Sequence, residues 1–189
     1  CNLKCTMCEH TYMQKVGGHL NIDGFKKLID SNPNVQVINI TGIGENFMNP
    51  EFLEMVDYSK KKGIYTWFTD NMTLLTEKST ARLLDAGLDL IVVSLDGASK
   101  ETFEGIRVGA KFERVIENIK RLISMRDAGG MSVPMVGINC VLTNQNYFEM
   151  EKLVELVHEL KVDCLMFISI IVSDTNGQFS LYSVSKEQI

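Results

Sequence analysis

The feature that most limits the fold is an alternation of short, β-branched and apolar runs with longer segments that carry a helical apolar period. The strand-like runs are residues 35–41, 64–69, 89–95, 133–142 and 163–172, and the helical segments are residues 51–62, 76–86, 99–105, 112–127 and 147–161. Because at least one helical segment separates each strand from the next, we expect parallel strands joined by right-handed crossovers. The run "DLIVVSL" is almost wholly apolar, which is typical of a strand covered on both faces. The alternation predicts a (β/α) barrel or an open doubly wound sheet.

Polar and glycine-rich motifs follow the first three expected strands. "TGIGEN" (residues 41–46) follows the first strand, "FTDNMT" (residues 68–73) follows the second, and Ser94 and Asp96 end the third. Both candidate folds place their ligand sites at the carboxyl ends of parallel strands. We therefore expect these motifs to meet in one site.

The composition argues against several classes of protein. The net charge of −5 argues against a nucleic-acid-binding surface. No apolar run reaches the ~18 residues that a membrane span needs, and no basic stretch precedes an apolar one as in a secretion signal. Clustered cysteines without a secretion signal indicate a reducing compartment. We therefore expect a cytoplasmic protein that contacts neither membranes nor nucleic acids.

Three cysteines, Cys1, Cys5 and Cys8, lie within the first eight residues at the spacing C-x3-C-x2-C. An iron–sulfur cluster held by only three thiolates would keep one iron open for another ligand. A zinc site would take His10 as its fourth ligand, and the thiols would otherwise be merely reactive or packed. The spacing alone leaves these three interpretations open.

Two further cysteines, Cys140 and Cys164, stand alone in apolar runs. The odd total of five argues against a disulfide framework. Isolated thiols in apolar strands are usually packed side chains, so we expect neither residue to hold a second cluster.

The strand-end residues carry groups that suit a small ligand. Gly42 and Gly44 would let the backbone approach a ligand closely, and Glu45 would supply an anionic acceptor. A plain strand-to-helix turn would use the same three residues. Ser94 and Asp96 alternate along a strand end, so they share a face and suit the hydroxyls of a ribose.

Two other positions have a functional and a structural interpretation. Arg107 can pair with a carboxylate through two hydrogen bonds, but a lone arginine is more often a surface residue. Asn71 follows a strand, and serving the turn there explains an asparagine equally well.

Together these motifs resemble those of radical S-adenosylmethionine enzymes, in particular of members with a C-terminal SPASM or twitch cluster domain. The resemblance rests on C-x3-C-x2-C with Met7 before its last cysteine, on "TGIGEN", and on the segment of residues 93–119. The chain departs from the family at Asn46, where proline is usual, and at Met72, where glycine is usual.

The resemblance implies a fold and a pair of cofactors. The fold is α/β, a partial (β/α)6 TIM-like barrel of parallel strands, with residues 1–172 as the core and its first strand missing. Residues 173–189 would end that core or begin a linker to a further domain. Cys1, Cys5 and Cys8 would bind three irons of a [4Fe–4S] cluster, and the fourth iron would bind the amino and carboxylate groups of S-adenosylmethionine.

The resemblance also assigns residues that bind S-adenosylmethionine. Glu45 and the two glycines before it would hold the amino group, Arg107 the carboxylate, and Ser94 with Asp96 the ribose side. The whole implied set is Met7, Gly42, Gly44, Glu45, Asn71, Ser94, Asp96 and Arg107.

The implied function is that of an enzyme. It would cleave S-adenosylmethionine reductively to a 5′-deoxyadenosyl radical and remove a hydrogen atom from a peptide, a protein or a small metabolite. A one-electron donor such as flavodoxin or ferredoxin would reduce the cluster. The alternatives are a zinc-binding module without catalysis, an electron-transfer iron–sulfur protein and a catalytically degenerate homologue.

Overall fold

The structure, a computed structural model, describes residues 1–13, 17–170 and 184, and seven strands among them form two sheets. In chain order these strands are β1 (Lys4–Cys5), β2 (Val37–Asn39), β3 (Tyr65–Asp70), β4 (Leu90–Ser94), β5 (Arg107–Val108), β6 (Met135–Leu142) and β7 (Cys164–Ser169). The strands β2, β3, β4, β6 and β7 form one sheet in that order, and every neighbouring pair in it is parallel. The short strands β1 and β5 pair antiparallel.

Helices connect the strands of the parallel sheet, except the first helix, which precedes β2. They are α1 (Ile22–Asp30), α2 (Phe52–Lys61), α3 (Glu77–Ala86), α4 (Lys100–Ile106), α5 (Phe112–Ala128) and α6 (Met150–Glu159). Short 3-10 turns cover Glu9–Thr11, Asn46–Met48 and Tyr147–Glu149. None of the helices in the described part of the chain combines the length and the apolar character that crossing a membrane requires.

The expected alternation of strands and helices is confirmed. The five expected strands form the parallel sheet, and the expected helices form between them, with ends that differ by a few residues. The last strand is described as far as Ser169, and residues 171–172 of the expected strand lie outside the described residues. Sequence reasoning missed α1, although its apolar residues keep a helical spacing and Asn21 caps its first turn. It also missed the pairing of β1 with β5, whose strands have two residues each.

Local signals at the helix ends explain where α3 and α4 begin and stop. The Thr76 side chain accepts a hydrogen bond from the Ser79 backbone, and the Ser79 hydroxyl accepts one from the Thr76 backbone, which completes a capping box. Gly87 ends α3 in the left-handed region at φ 71°. Ser99 caps α4 by accepting from the Thr102 backbone nitrogen.

The main core lies between the parallel sheet and the helices. Phe68, Ile91 and Val93 on the central strands are fully buried, as are Ile119 and Leu122 of α5. Burying a side chain of this size contributes about 1.5–3 kcal/mol. The core therefore holds β3 and β4 side by side. In their register Asp70 lies opposite Val93, which is one residue before the end of β4.

Gly97 lies in the turn between β4 and α4, and we predict that Gly97→Ala lowers the free energy of unfolding by about 1–3 kcal/mol. A Cβ atom at this position would meet the Phe103 backbone nitrogen at 2.7 Å, so the backbone of α4 would have to shift. Urea unfolding followed by circular dichroism measures the change.

The matched control is Gly105→Ala in α4, the helix that follows the turn. A Cβ atom there meets nothing within 4 Å, and alanine is favoured over glycine inside a helix by about 0.5–1 kcal/mol. This control should therefore leave the protein as stable as before or more so. Equal losses of stability in the two variants would contradict the packing argument.

Candidate active site

The loop that carries the first three cysteines is docked onto the segment after α4. In the β1–β5 pair Cys5 stands opposite Arg107, and the Thr6 backbone nitrogen donates to the Ile106 carbonyl at 2.9 Å. The Thr11 hydroxyl donates to the Cys5 carbonyl at 2.8 Å and so closes the loop on itself. The loop's position thus depends on contacts far away in sequence.

A cavity of about 360 Å³ lies between this loop and the carboxyl ends of the parallel strands. Residues from the ends of β3, β4, β6 and β7 line it, together with the "TGIGEN" loop after β2. All of the site residues expected from the sequence line this cavity, except Asp96: Cys1, Cys5, Met7, Cys8, Gly42, Gly44, Glu45, Asn71, Ser94 and Arg107. The expectation that the strand-end motifs meet in one place is therefore confirmed.

The three thiols suit a multi-iron cluster better than a single metal ion. All three are free, and burial raises the pKa of Cys5 although the Arg107 charge opposes this. Among the described residues, no group of three or more His, Cys, Asp or Glu side chains is arranged to hold one ion. The Nε2 atom of His10 lies 3.2 Å from the Cys1 backbone nitrogen. In such a cluster each thiolate binds a different iron, so the three thiolates need not converge on one point.

Two buried carboxylates, those of Glu45 and Asp70, form the acidic wall of the cavity. Glu45 is 7% exposed and Asp70 is 2% exposed. One oxygen of each is bonded to the backbone: Glu45 Oε2 accepts from the Asn71 nitrogen at 3.3 Å, and Asp70 Oδ1 accepts from the Met72 nitrogen at 2.7 Å. Apart from a hydrogen bond between the two carboxyl groups themselves, Glu45 Oε1 and Asp70 Oδ2 have no partner among the described residues.

These carboxylates make the site attractive to a cation. Burial raises the pKa of Asp70 well above its usual range, and the neighbouring Glu45 carboxylate raises it further. Two like charges in a poorly solvated place repel each other, and a cationic ligand relieves that repulsion. The acidic wall therefore fits an ammonium group.

The Asn71 side chain lines the cavity, but its hydrogen bonds are made to other residues of the protein. Its Nδ2 donates to Asn2 Oδ1 at 3.0 Å, and its Oδ1 accepts from the Thr73 nitrogen at 2.9 Å. The Asn2 amide in turn donates to Thr73 Oγ1 at 2.8 Å. Since Asn2 lies beside Cys1, these bonds tie the cysteine loop to the end of β3. The family resemblance implied a contact between Asn71 and S-adenosylmethionine, and that contact stays a prediction.

The turn after β3 keeps a backbone shape that usually needs glycine. Met72 has a φ of 60° in the left-handed region, and its side chain is fully buried. This conformation costs about 1–2 kcal/mol for a residue with a Cβ atom. The bond from the Met72 nitrogen to Asp70 and the burial of the methionine side chain offset that cost. The departure from the family's glycine thus leaves the turn intact.

Asp96 has a different place from the one expected. It is fully buried and is not among the residues that line the cavity. Its Oδ1 accepts from the Val141 nitrogen at 2.8 Å, and its Oδ2 lies 2.6 Å from Arg107 Nη2. Strand β4 ends at Ser94, so the alternation that aims Ser94 at the cavity no longer governs Asp96 two residues later. The structure therefore makes Asp96 the counter-ion of Arg107.

Arg107 stands between this carboxylate and the cysteine loop. Its Nη1 donates to Cys5 Sγ at 3.9 Å, a long contact for which sulfur is a weak acceptor. Its Nε is buried and has no hydrogen-bond partner among the described residues. Burial alone would disfavour the charge, but Asp96 and the nearby thiols raise the pKa of Arg107. The guanidinium therefore keeps its charge and retains one free donor.

Sequence reasoning missed Asp70, which lines the cavity beside Asn71. Its position at a strand end next to an expected site residue was an available signal. The other two cysteines behave as packed thiols: burial raises the pKa of Cys140 to about 12, and burial also raises that of Cys164.

We predict that Asp96→Asn lowers the free energy of unfolding by about 3–5 kcal/mol, because it leaves the buried Arg107 charge uncompensated. Asparagine keeps an oxygen for the Val141 nitrogen, so the variant removes mainly the charge. Asp57→Asn is the control, since the Arg82–Asp57 pair is largely exposed and such pairs contribute about 0–1 kcal/mol. Urea unfolding curves of both variants test this, and similar losses would contradict it.

Comparison with known proteins identifies the family. The model of the Radical SAM superfamily matches residues 1–168. The tungsten-containing aldehyde ferredoxin oxidoreductase cofactor-modifying protein of Pyrococcus furiosus is 31% identical over 173 residues, which are 88% of this chain and 48% of that protein. The mycofactocin maturase MftC of Mycobacterium tuberculosis is 29% identical over 158 residues, which are 82% of this chain and 39% of that protein.

The fold is also found among solved structures. Streptococcus suis SuiB bound to the precursor peptide SuiA matches with a TM-score of 0.79 and 20% identity, over 98% of this chain and 40% of that one. At this identity the match speaks for the fold alone, and it confirms the partial (β/α) barrel. The chain spans less than half the length of these relatives. On the family match and the shared fold, the chain belongs to the Radical SAM superfamily, whose members are enzymes that use a [4Fe–4S] cluster and S-adenosylmethionine.

Proposed function

We propose that this chain forms the part of a radical S-adenosylmethionine enzyme in which Cys1, Cys5 and Cys8 hold the cluster and the cavity beside them binds S-adenosylmethionine. The observation that carries the proposal is the shared cavity, because three free thiols, an acidic wall and a buried arginine line it together. When bound, the two cofactors supply a reductive cleavage that gives methionine and a 5′-deoxyadenosyl radical, which takes a hydrogen atom from the substrate.

The amino group of the ligand fits the end of the cavity formed by "TGIGEN". A Cβ atom on Gly42 would meet nothing within 4 Å, and one on Gly44 would come no nearer than 3.9 Å to the Cys1 nitrogen. The glycines therefore leave the backbone open to a ligand. Glu45 Oε1, which is buried and has no partner among the described residues other than the Asp70 carboxyl, accepts a hydrogen bond from the ammonium.

The other parts of the ligand meet groups of matching chemistry. Arg107 offers its free Nε to the carboxylate, and its charge is already balanced by Asp96. Ser94 presents a hydroxyl to the ribose. Met7 and Ile168 supply apolar surface for the adenine and help to exclude water.

The substrate we propose is a peptide. The support is that the structure of SuiB, which shares the fold, is described with a precursor peptide bound. A flavodoxin or a ferredoxin is the proposed electron donor, and the cytoplasm is the proposed location. Membership of the SPASM or twitch group stays a prediction, and so does the division into a core of residues 1–172 and a following segment 173–189. Most of that segment lies outside the described residues.

Cys5→Ala should abolish both the cluster and the cleavage of S-adenosylmethionine, since three thiolates are the minimum that the proposed site uses. Anaerobically reconstituted wild-type protein should bind about four irons in this site and should release 5′-deoxyadenosine when a strong reductant and S-adenosylmethionine are added. Iron analysis and chromatography of the nucleoside give the two measurements.

Cys164→Ala is the matched control, because that thiol lies on β7 away from the cavity lining. It should keep the iron of the cavity site and the release of 5′-deoxyadenosine. A wild-type protein that binds one zinc ion tightly and releases no 5′-deoxyadenosine would refute the proposed function and support the non-catalytic zinc module.

A further inference from the structure

Asp70 is the buried carboxylate that the proposed roles above do not use. It ends β3 and lines the cavity, its Oδ1 is bonded to the backbone, and the one other hydrogen bond of its carboxyl group among the described residues is to the Glu45 carboxyl. That oxygen, Oδ1, supports the turn by accepting from the Met72 nitrogen. Accepting this hydrogen bond does not require a charged side chain, because an asparagine oxygen would accept it as well. The Oδ2 atom, which has no partner other than the Glu45 carboxyl among the described residues, therefore calls for a separate explanation.

Among the described residues, no basic side chain is available to balance Asp70. Arg107, the arginine that lines the cavity in this part of the chain, is paired with Asp96. The neighbouring charged group is Glu45, which is itself acidic and which shares a hydrogen bond with the Asp70 carboxyl. Within the described residues, the two carboxylates thus face the cavity with no basic side chain of their own. Buried carboxylates in this state require a proton or a cationic ligand.

We propose that Asp70 is a second binding residue for the ammonium group of the ligand, so that Glu45 and Asp70 together form a two-carboxylate subsite. An ammonium group has three N–H donors. Two of them can reach the two remaining carboxylate oxygens, and charge-assisted bonds of this kind are about twice as strong as neutral ones. This inference rests on the proposed function, because it takes S-adenosylmethionine as the ligand.

The subsite also explains how the empty cavity tolerates its acidic wall. Without ligand, burial and the Glu45 charge raise the pKa of Asp70, and this favours its neutral form. An arriving ammonium group replaces the proton as the positive charge between the two carboxylates. A purely structural acid would instead keep its proton whether or not a ligand is bound, and the two cases differ in what Asp70→Asn does to affinity.

The test compares two ligands on cluster-loaded protein kept oxidised, so that no cleavage occurs. One ligand is S-adenosylmethionine, and the other is its analogue without the α-amino group. Asp70→Asn should weaken the binding of S-adenosylmethionine by about 10-fold to 100-fold, the range expected for a lost charged hydrogen bond. Binding of the analogue should change less than about 3-fold. Equilibrium dialysis with labelled ligands measures both affinities.

Two further variants make the test specific. Asp57→Asn makes the same chemical change at a half-buried position of α2 outside the cavity and should alter neither affinity. Asp70→Ser keeps an oxygen near the Met72 nitrogen, and it replaces Asp70→Asn if that variant loses its iron or its circular dichroism spectrum.

Each result has one meaning. Unchanged affinity of Asp70→Asn for S-adenosylmethionine, with a wild type that binds it, would overturn the two-carboxylate subsite and leave the proposed function standing. Equal weakening of both ligands would also overturn it, since the loss would then come from structure rather than from the ammonium contact. A cluster-loaded wild type that binds no S-adenosylmethionine would overturn the proposed function, and the subsite with it.

Discussion

The Asp96 carboxylate follows β4, holds the Val141 nitrogen of β6, and balances the charge of Arg107, so it joins three separate segments of the chain. Arg107 belongs to the strand that pairs with the cysteine loop, and its guanidinium reaches Cys5. Removing a charged group from water costs several kcal/mol per ion, and only close contacts between the two charges offset that cost. The position of the cysteines relative to the parallel sheet therefore depends on the buried Asp96–Arg107 ion pair. This pair links the segment after β4 to the strand β5, which pairs with the cysteine loop.

The parallel sheet brings the rest of the site together by geometry. Its strands all end at the same edge, and their register sets the depth at which each side chain enters the cavity. For this reason the sequence predicted the location well: motifs that follow successive strands must meet. Gly42, Glu45 and Ser94 are at the cavity as expected. Their role in binding a ligand stays a prediction, since it depends on chemistry that the fold alone does not decide.

The parts that the sequence did not predict have physical reasons. Alternation along a strand assigns a face only while the strand lasts, and Asp96 lies beyond the end of β4. The tie between Asn71 and Asn2 joins residues that are far apart in sequence, so no local pattern signals it. Helix α1 carries an apolar stripe, with Phe25 and Ile29 buried, and begins at the Asn21 cap, so both of its signals were present in the sequence.

The two unusual residues of the turn after β3 depend on each other. Met72 holds the left-handed backbone in place of glycine, and its nitrogen is bonded by Asp70. A glycine needs no such support, so a carboxylate before the turn becomes useful when methionine occupies it. The same side chain has a second oxygen, and the strand end aims it at the cavity. The methionine of the turn and the second acidic group of the cavity thus belong to one local structure. An exchange that relaxed the turn would free Asp70 from its backbone bond and alter the charge that the cavity presents to its ligand.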